Sequence, residues 1–204
     1  MERVSRAKVM LETPLGRQLE VKEVEQGYYK INEFSPKPGY TYRLIVESEG
    51  ITYSASSTLN PPVQIDSLNY EYYNKNGFFD DGYRVTLYLT DPGWRANYYR
   101  VKVYKNGVLN NDADNLIVFD DRHLDGLPVQ VRLPGIIFNK GDTAGIQLIS
   151  IDKSAWEYLS TFEDVVDSNP GSPAPANPLS NFDNGALGYF SAWSYDSQVI
   201  IIGK

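Results

Sequence analysis

The sequence predicts a mostly β protein in two parts. A small immunoglobulin- or transthyretin-like sandwich is expected over about 1–60, and a larger β-sandwich carrying one α-helix over 61–204. Three observations lead there. Apolar and polar residues alternate through most of the chain, which is the period of a half-buried strand. Tyrosine, a residue suited to pleated and half-buried surfaces, occurs 16 times in 204 residues. A helical period replaces the alternation in one place near the C-terminal end.

In the first part, Ala7, Val9 and Leu11 alternate with Lys8, Met10 and Glu12. A Pro-Leu-Gly turn at 14–16 leads to a second strand at 19–23 and a third at 27–31. Tyr40, Tyr42, Leu44 and Val46 then alternate with Thr41, Arg43, Ile45 and Glu47, and Glu49-Gly50 turns the chain into Ile51–Ala55. So few strands leave sheet edges open and the core thin, so a further partner strand is expected upstream. Asn60-Pro61-Pro62 marks the boundary, because proline cannot donate to a strand ladder.

The second part begins at Val63. Val85, Leu87 and Leu89 fall on one strand face, and Asp91-Pro92-Gly93-Trp94 is a turn. Tyr99, Val101 and Val103 alternate with Arg100, Lys102 and Tyr104, and Asn106-Gly107 is the strongest hairpin signal in the chain. Further strands are expected at 116–119, 128–133 and 143–151. Ala155, Leu159, Phe162 and Val166 then lie on one helical face, giving a helix near 153–166, with Ser154-Ala-Trp-Glu157 fitting a capping box. A proline-rich loop follows at 168–178. The stretch 177–194 turns on Asn184-Gly185 and Gly188 before an aliphatic strand at 198–203. It reads as an element that closes an earlier core, with a ligand loop as the alternative.

Composition narrows the function. The net charge of −7 argues against binding nucleic acid by phosphate neutralisation and against adhesion to anionic lipid through a basic patch. With no cysteine and His123 as the single histidine, a thiol nucleophile is excluded and an ordinary zinc site lacks ligands. No cofactor and no metal site is therefore expected. No apolar run is long enough to cross a bilayer, and Met1-Glu-Arg-Val-Ser-Arg resembles no export signal. That front fits either a cytosolic protein or a chain trimmed at its start.

Candidate chemistry is sparse. His123 sits in an acidic, turn-like run without a nucleophile motif, as in a solvated loop. Asp112, Asp114, Asp120, Asp121 and Asp125 carry oxygen ligands suited to calcium, but their spacing is not that of an EF-hand and reads as a solvated rim. The aromatic residues divide between sheet packing and display. Trp156 belongs with the core beside the helix stripe. Trp94, in a turn beside Arg95, is the ring expected to be exposed.

Several blocks also occur in a recognisable order. They are Tyr42-Arg-Leu-Ile-Val with Gly50-Ile-Thr-Tyr-Ser-Ala, Ile65-Asp-Ser, Thr90-Asp-Pro-Gly with Asn97-Tyr-Tyr-Arg, Leu148-Ile-Ser-Ile-Asp with Trp156-Glu-Tyr-Leu, and 177–190. Together they resemble the Bacteroidota envelope lipoproteins grouped as "domain of unknown function 4249". The resemblance covers nearly the whole chain. It implies an outer-membrane lipoprotein with an upstream signal, lipidated cysteine and first strand, often encoded beside a TonB-dependent receptor, and it brings no catalytic residues.

The expectation is a non-catalytic module of the cell envelope, associated with the outer membrane and with TonB-dependent nutrient uptake. Its partner is a TonB-dependent receptor or another envelope protein, without nucleic acid, and its contact with membrane runs only through an upstream lipid anchor. The contact surface is expected on the turns at 70–83 and 91–98, with Tyr72, Tyr73, Trp94 and Tyr98 as the binding residues. The alternative is a carbohydrate-binding protein that uses the exposed aromatic rings. A carboxylate-dependent hydrolase would instead need two acids facing each other across a cleft.

Overall fold

The computed structural model describes residues 3–74, 80–111, 115–122, 126–133, 135–166 and 177–203. The first part contains β1 (Lys8–Glu12), β2 (Gln18–Glu25), β3 (Tyr28–Lys30), β4 (Thr41–Ser48) and β5 (Ile51–Thr58). They form one antiparallel sheet in the order β3-β2-β1-β4-β5. The β4–β5 hairpin turns on Glu49 and Gly50, at φ of 52° and 78°. Positive φ at both central residues gives a tight turn whose twist matches that of the flanking strands.

A single sheet needs a second layer, and strands from 1–60 do not supply it. Leu11, Tyr42 and Leu59 form the buried centre on one face, and Phe190 and Ala192 pack against it from the far end of the chain. Phe182 makes an antiparallel bridge to Ala55 on the outer side of β5. The stretch 177–192 therefore closes a core, as its sequence indicates, and the core belongs to the first part. Gly188, at φ 128°, takes the backbone through a region that side chains rarely enter. The Asn181 side chain holds the fold-back by donating to Phe190 O at 2.7 Å and accepting from Phe190 N–H at 2.9 Å.

The outer edge of β5 is occupied by side chains. The Asp183 carboxylate accepts from Ser54 N–H and from Ser54 Oγ, each at 2.6 Å, and Asp183 N–H returns a bond to Ser54 O at 3.0 Å. Asn184 donates to Thr52 O at 2.7 Å, and Asp152 accepts from Thr58 N–H at 2.9 Å. These contacts take up groups that would otherwise template another strand.

The second part is a sandwich of two antiparallel sheets. One contains β6 (Ile65–Tyr73), β7 (Gly82–Thr90) and β11 (Pro128–Arg132), in the order β11-β7-β6. The other contains β8 (Tyr98–Lys105), β10 (Ile117–Asp120), β12 (Thr143–Ile151) and β13 (Ser194–Ile201), in the order β10-β8-β12-β13, with the short β9 (Val108–Leu109) also on β8. The Asn106-Gly107 hairpin joins β8 to β9, at φ of 53° and 80°. The predicted faces meet here: Val85, Leu87 and Leu89 pack in one cluster with Tyr99, Val101, Val103, Ile146 and Leu148. At Gly82, φ is 144° and a Cβ would stand 2.3 Å from Ile137 Cγ2, so the start of β7 requires glycine.

The helix α1 (Lys153–Val166) lies on the outer face of the second sheet. Ala155 and Leu159 bury against Ile149 and Ile151, with Tyr98 and Trp156 packed alongside. Its cap differs from the sequence expectation. Asp152, one position before the helix, accepts from Ala155 N–H at 2.9 Å and from Ser154 Oγ at 3.1 Å, while Ser154 is already helical. An ionised carboxylate at a helix N-terminus accepts the free N–H groups and suits the helix dipole. The Val166 side chain and the proline-rich loop as far as residue 176 lie outside the described residues.

Two predictions follow from these contacts. Because Asp152 both caps α1 and holds Thr58 N–H, Asp152→Ala should cost about 1–3 kcal/mol, and Ser154→Ala distinctly less, by urea denaturation. Asp142, in the turn before β12, has its carboxyl lowered to about 2 by the Asn106 amide first, then by Asn139 N–H and by Lys105. The folded value lies below the unfolded one of about 3.9, so this stabilisation is complete above roughly pH 4 and disappears towards pH 2. The melting temperature of Asp142→Asn should accordingly fall below that of the native protein near neutrality and converge with it towards about pH 2.

Candidate binding surface

The Asp91–Asn97 turn leads from β7 to β8 and stands on a buried polar network. Asp91, Asn97 and Asp121 are each at most 5% exposed. The Asp121 carboxylate accepts from Asn97 N–H at 2.6 Å, and Asp121 N–H donates to Asn97 O at 3.1 Å. The Asn97 amide donates to Pro92 O at 3.0 Å and to Arg95 O at 2.9 Å, so one side chain fastens the loop at two points. Arg95 Nε donates to Asn97 Oδ1 at 2.7 Å, and its Nη2 reaches Pro61 O at 3.2 Å. The Tyr99 hydroxyl donates to Asp91 Oδ1.

The electrostatics agree with this geometry. Burial, then the Asp91 carboxylate, pushes the Tyr99 hydroxyl well above its usual range, so it stays a donor. Burial lowers the Arg95 pKa, while Tyr99, Asp91 and Asp121 act in the opposite direction. Two carboxylates at the base of the loop thus face a guanidinium and several N–H donors. A hydrogen-bonded network in a low-dielectric setting fixes a loop firmly.

On this base stands Trp94, 73% exposed. The Arg95 guanidinium lies over its ring, 4.8 Å from the centroid, a cation–π contact that limits the rotamers of both side chains. The neighbouring 126–127 segment is drawn close by Asp91 N–H, which donates to Leu127 O at 3.2 Å, and Leu127 is itself exposed. A rigid base, an exposed indole and an adjacent exposed leucine make this loop the candidate contact surface.

The other expected site residues do not join it. Tyr72 and Tyr73 pair with Tyr83 and Gly82 at one end of β7, while Trp94 follows the opposite end. At about 3.4 Å per residue, the nine residues of β7 separate those ends by roughly 27 Å. Tyr72 bonds to Asp81 at 3.2 Å and packs edge-on to Tyr83, and Tyr73 lies under Arg84. Tyr98 is half-buried against Trp156, with ring centroids 5.5 Å apart, so it supports the helix. The expected single surface over 70–83 and 91–98 is thus two surfaces, and alternation along a strand could not reveal that its ends are far apart.

The acidic run also divides. Asp112, Asp114, His123 and Asp125 lie outside the described residues. Asp120 pairs with Arg122, and Asp121 is buried in the loop network, so neither serves as a free solvated acid. Among the described residues no group of three or more His, Cys, Asp or Glu could hold a metal ion. Sequence reasoning missed the Asp121 role, although Asp-Pro-Gly followed by Asn97 at the head of a strand was the available signal. It also missed a groove of about 840 Å³ beside β2, bordered by the 31–37 segment and by Tyr40 and Tyr42.

If Trp94 is displayed and Tyr98 supports α1, their truncations should separate. Trp94→Ala should leave the unfolding free energy within about 0.5 kcal/mol of native, whereas Tyr98→Ala should lower it by about 2 kcal/mol or more, by urea titration followed by circular dichroism.

Comparison with known proteins places the sequence in one family. Residues 1–199 match the family model described as "Domain of unknown function (DUF4249)". No curated protein and no solved structure matches this chain.

Proposed function

The chain belongs to the DUF4249 family, and on that premise we propose that it is a non-catalytic binding module of the cell envelope. In this reading it is a Bacteroidota lipoprotein, held at the outer membrane by an upstream lipid anchor, and it serves TonB-dependent nutrient uptake. Its partner is a TonB-dependent receptor or another envelope protein. The observation that carries the reading is Trp94, an exposed indole on a loop whose base is a buried hydrogen-bonded network. Fixing an aromatic anchor before binding reduces the entropy lost on association, and tryptophan is the residue most enriched among interface hot spots.

Arg95 adds a cation beside the ring, which suits a partner surface with an acidic or carbonyl-rich rim. A second reading, carbohydrate binding, rests on the same exposed indole, since a flat ring stacks on the apolar face of a sugar.

Co-purification from envelope extracts distinguishes the two. The native protein should retain a receptor, and Trp94→Ala should lose at least about tenfold of it, the effect of one hot-spot residue. Equal retention by both proteins would refute the role given to Trp94. Glycan-array binding that Trp94→Ala abolishes, without receptor capture, would favour the carbohydrate reading.

A further inference from the structure

A second cavity lies away from Trp94, where the edge of β8 is split. β10 pairs with β8 from Tyr98 to Val101, and β9 pairs with Tyr104 and Lys105. Between them Lys102 and Val103 have no strand partner on that side among the described residues, although Asn110 N–H donates to Val103 O at 2.9 Å. The gap opens into a cavity of about 330 Å³, roofed by Tyr158 and Phe162 of α1. Tyr189, from the closing stretch, completes the wall. That volume is at the small end of the range for ligand cavities, roughly 300–1,000 Å³.

The charges in this cavity are one-sided. Arg100 and Lys102, two apart on one strand, point to the same face, and no carboxylate is among the described residues that line the cavity. Neither cation has an ion-pair partner among the described residues, in a chain with 26 acidic and 19 basic side chains. Arg100 Nη1 donates to the Tyr189 hydroxyl at 3.2 Å, but its Nε is buried and has no hydrogen-bond partner. A buried, unsatisfied N–H on a cation is costly, so the protein itself compensates the Arg100 charge only in part.

We propose that this cavity binds a small organic anion, an apolar or aromatic body carrying one carboxylate or phosphate group. Arg100 and Lys102 hold the anionic end, the first through its guanidinium and the second through an ammonium that rests 5.1 Å from the centroid of the Trp193 ring. The Tyr189 hydroxyl positions the guanidinium, and Leu109, Leu159 and Phe162 receive the body of the ligand. Burial, with Arg100 adding to it, holds the Lys102 ammonium below the usual lysine range. An arriving anion would relieve both effects. The Tyr158 and Tyr189 rings meet at a tilt with centroids 4.7 Å apart, which keeps the aromatic side of the cavity in place.

The test is calorimetric titration of the whole chain with benzoate and with phenyl phosphate, using benzyl alcohol as the uncharged control. At least one anion should bind, at least about tenfold tighter than benzyl alcohol, and more weakly as salt is raised. Arg100→Gln and Lys102→Gln should each weaken that binding about tenfold or more, while Trp94→Ala leaves it unchanged. The last variant keeps this site distinct from the Trp94 surface. Tyr189→Phe, which retains the ring, should weaken binding moderately and supplies a test if Arg100→Gln fails to fold. Anions that bind no better than benzyl alcohol, or folded Lys102→Gln and Tyr189→Phe proteins with native affinity, would overturn the proposal.

Discussion

The edge of β5 is the constraint from which the rest of the structure follows. A rim strand carries N–H and C=O groups that must find partners, and a lone five-stranded sheet also has a face to cover. Both needs are met from the far end of the chain. Asp183 takes Ser54, Asn184 takes Thr52 and Asp152 takes Thr58, while Phe190 and Ala192 cover the apolar face. The Asp183 carboxyl lies below its ordinary range, chiefly through the Ser54 hydroxyl and then the Ser54 N–H, so the ionised form is the one that clamps. A charged acceptor makes a stronger bond to backbone than a neutral one.

This closure ties the two parts together at several points. Asp152 caps α1 with one oxygen and holds β5 with the other. The Asn60 amide donates to Ile151 O at 2.8 Å, and Ser194 Oγ donates to Asn60 O at 2.7 Å, so the prolines at 61 and 62 follow a fastened residue. The helix, the end of β12 and the start of β13 all meet the first sheet at this junction. Tyr189 comes from the same closing stretch, so the wall of the cationic cavity is set by the chain that seals the other core.

The displayed loop follows the same logic on a smaller scale. Asn97 and Asp121 satisfy each other through side chain and backbone, and the Asp91 side chain accepts from Tyr99. With the polar groups below engaged in this way, the loop can leave a large apolar ring in solvent without relying on that ring for its own fold. Function in this chain is therefore read from what the rigid parts expose.

Much of this architecture is legible in local sequence. The alternation of Val85, Leu87 and Leu89 and of Tyr99, Val101 and Val103 identifies the inner faces, and all six are buried. Asn106-Gly107 and Asn184-Gly185 take the positive φ their residue types favour, and Gly50 does so beside Glu49, which the tight turn also holds at positive φ. The 3.6-residue period locates the helix, and the turn beside Arg95 identifies the exposed indole. These features depend on residues a few positions apart, for which backbone sterics and burial suffice. Only the tertiary structure decides which strand is a neighbour, which edge is covered and which charge has a partner. Ser54 and Asp183 are 129 positions apart, and Tyr72 and Trp94 stand at opposite ends of one strand. Alternation reports the face a side chain takes and carries no information on what lies opposite, so the β5 clamp, with its Asp152–Thr58 bond, and the one-sided cavity at Arg100 emerge only when distant segments meet.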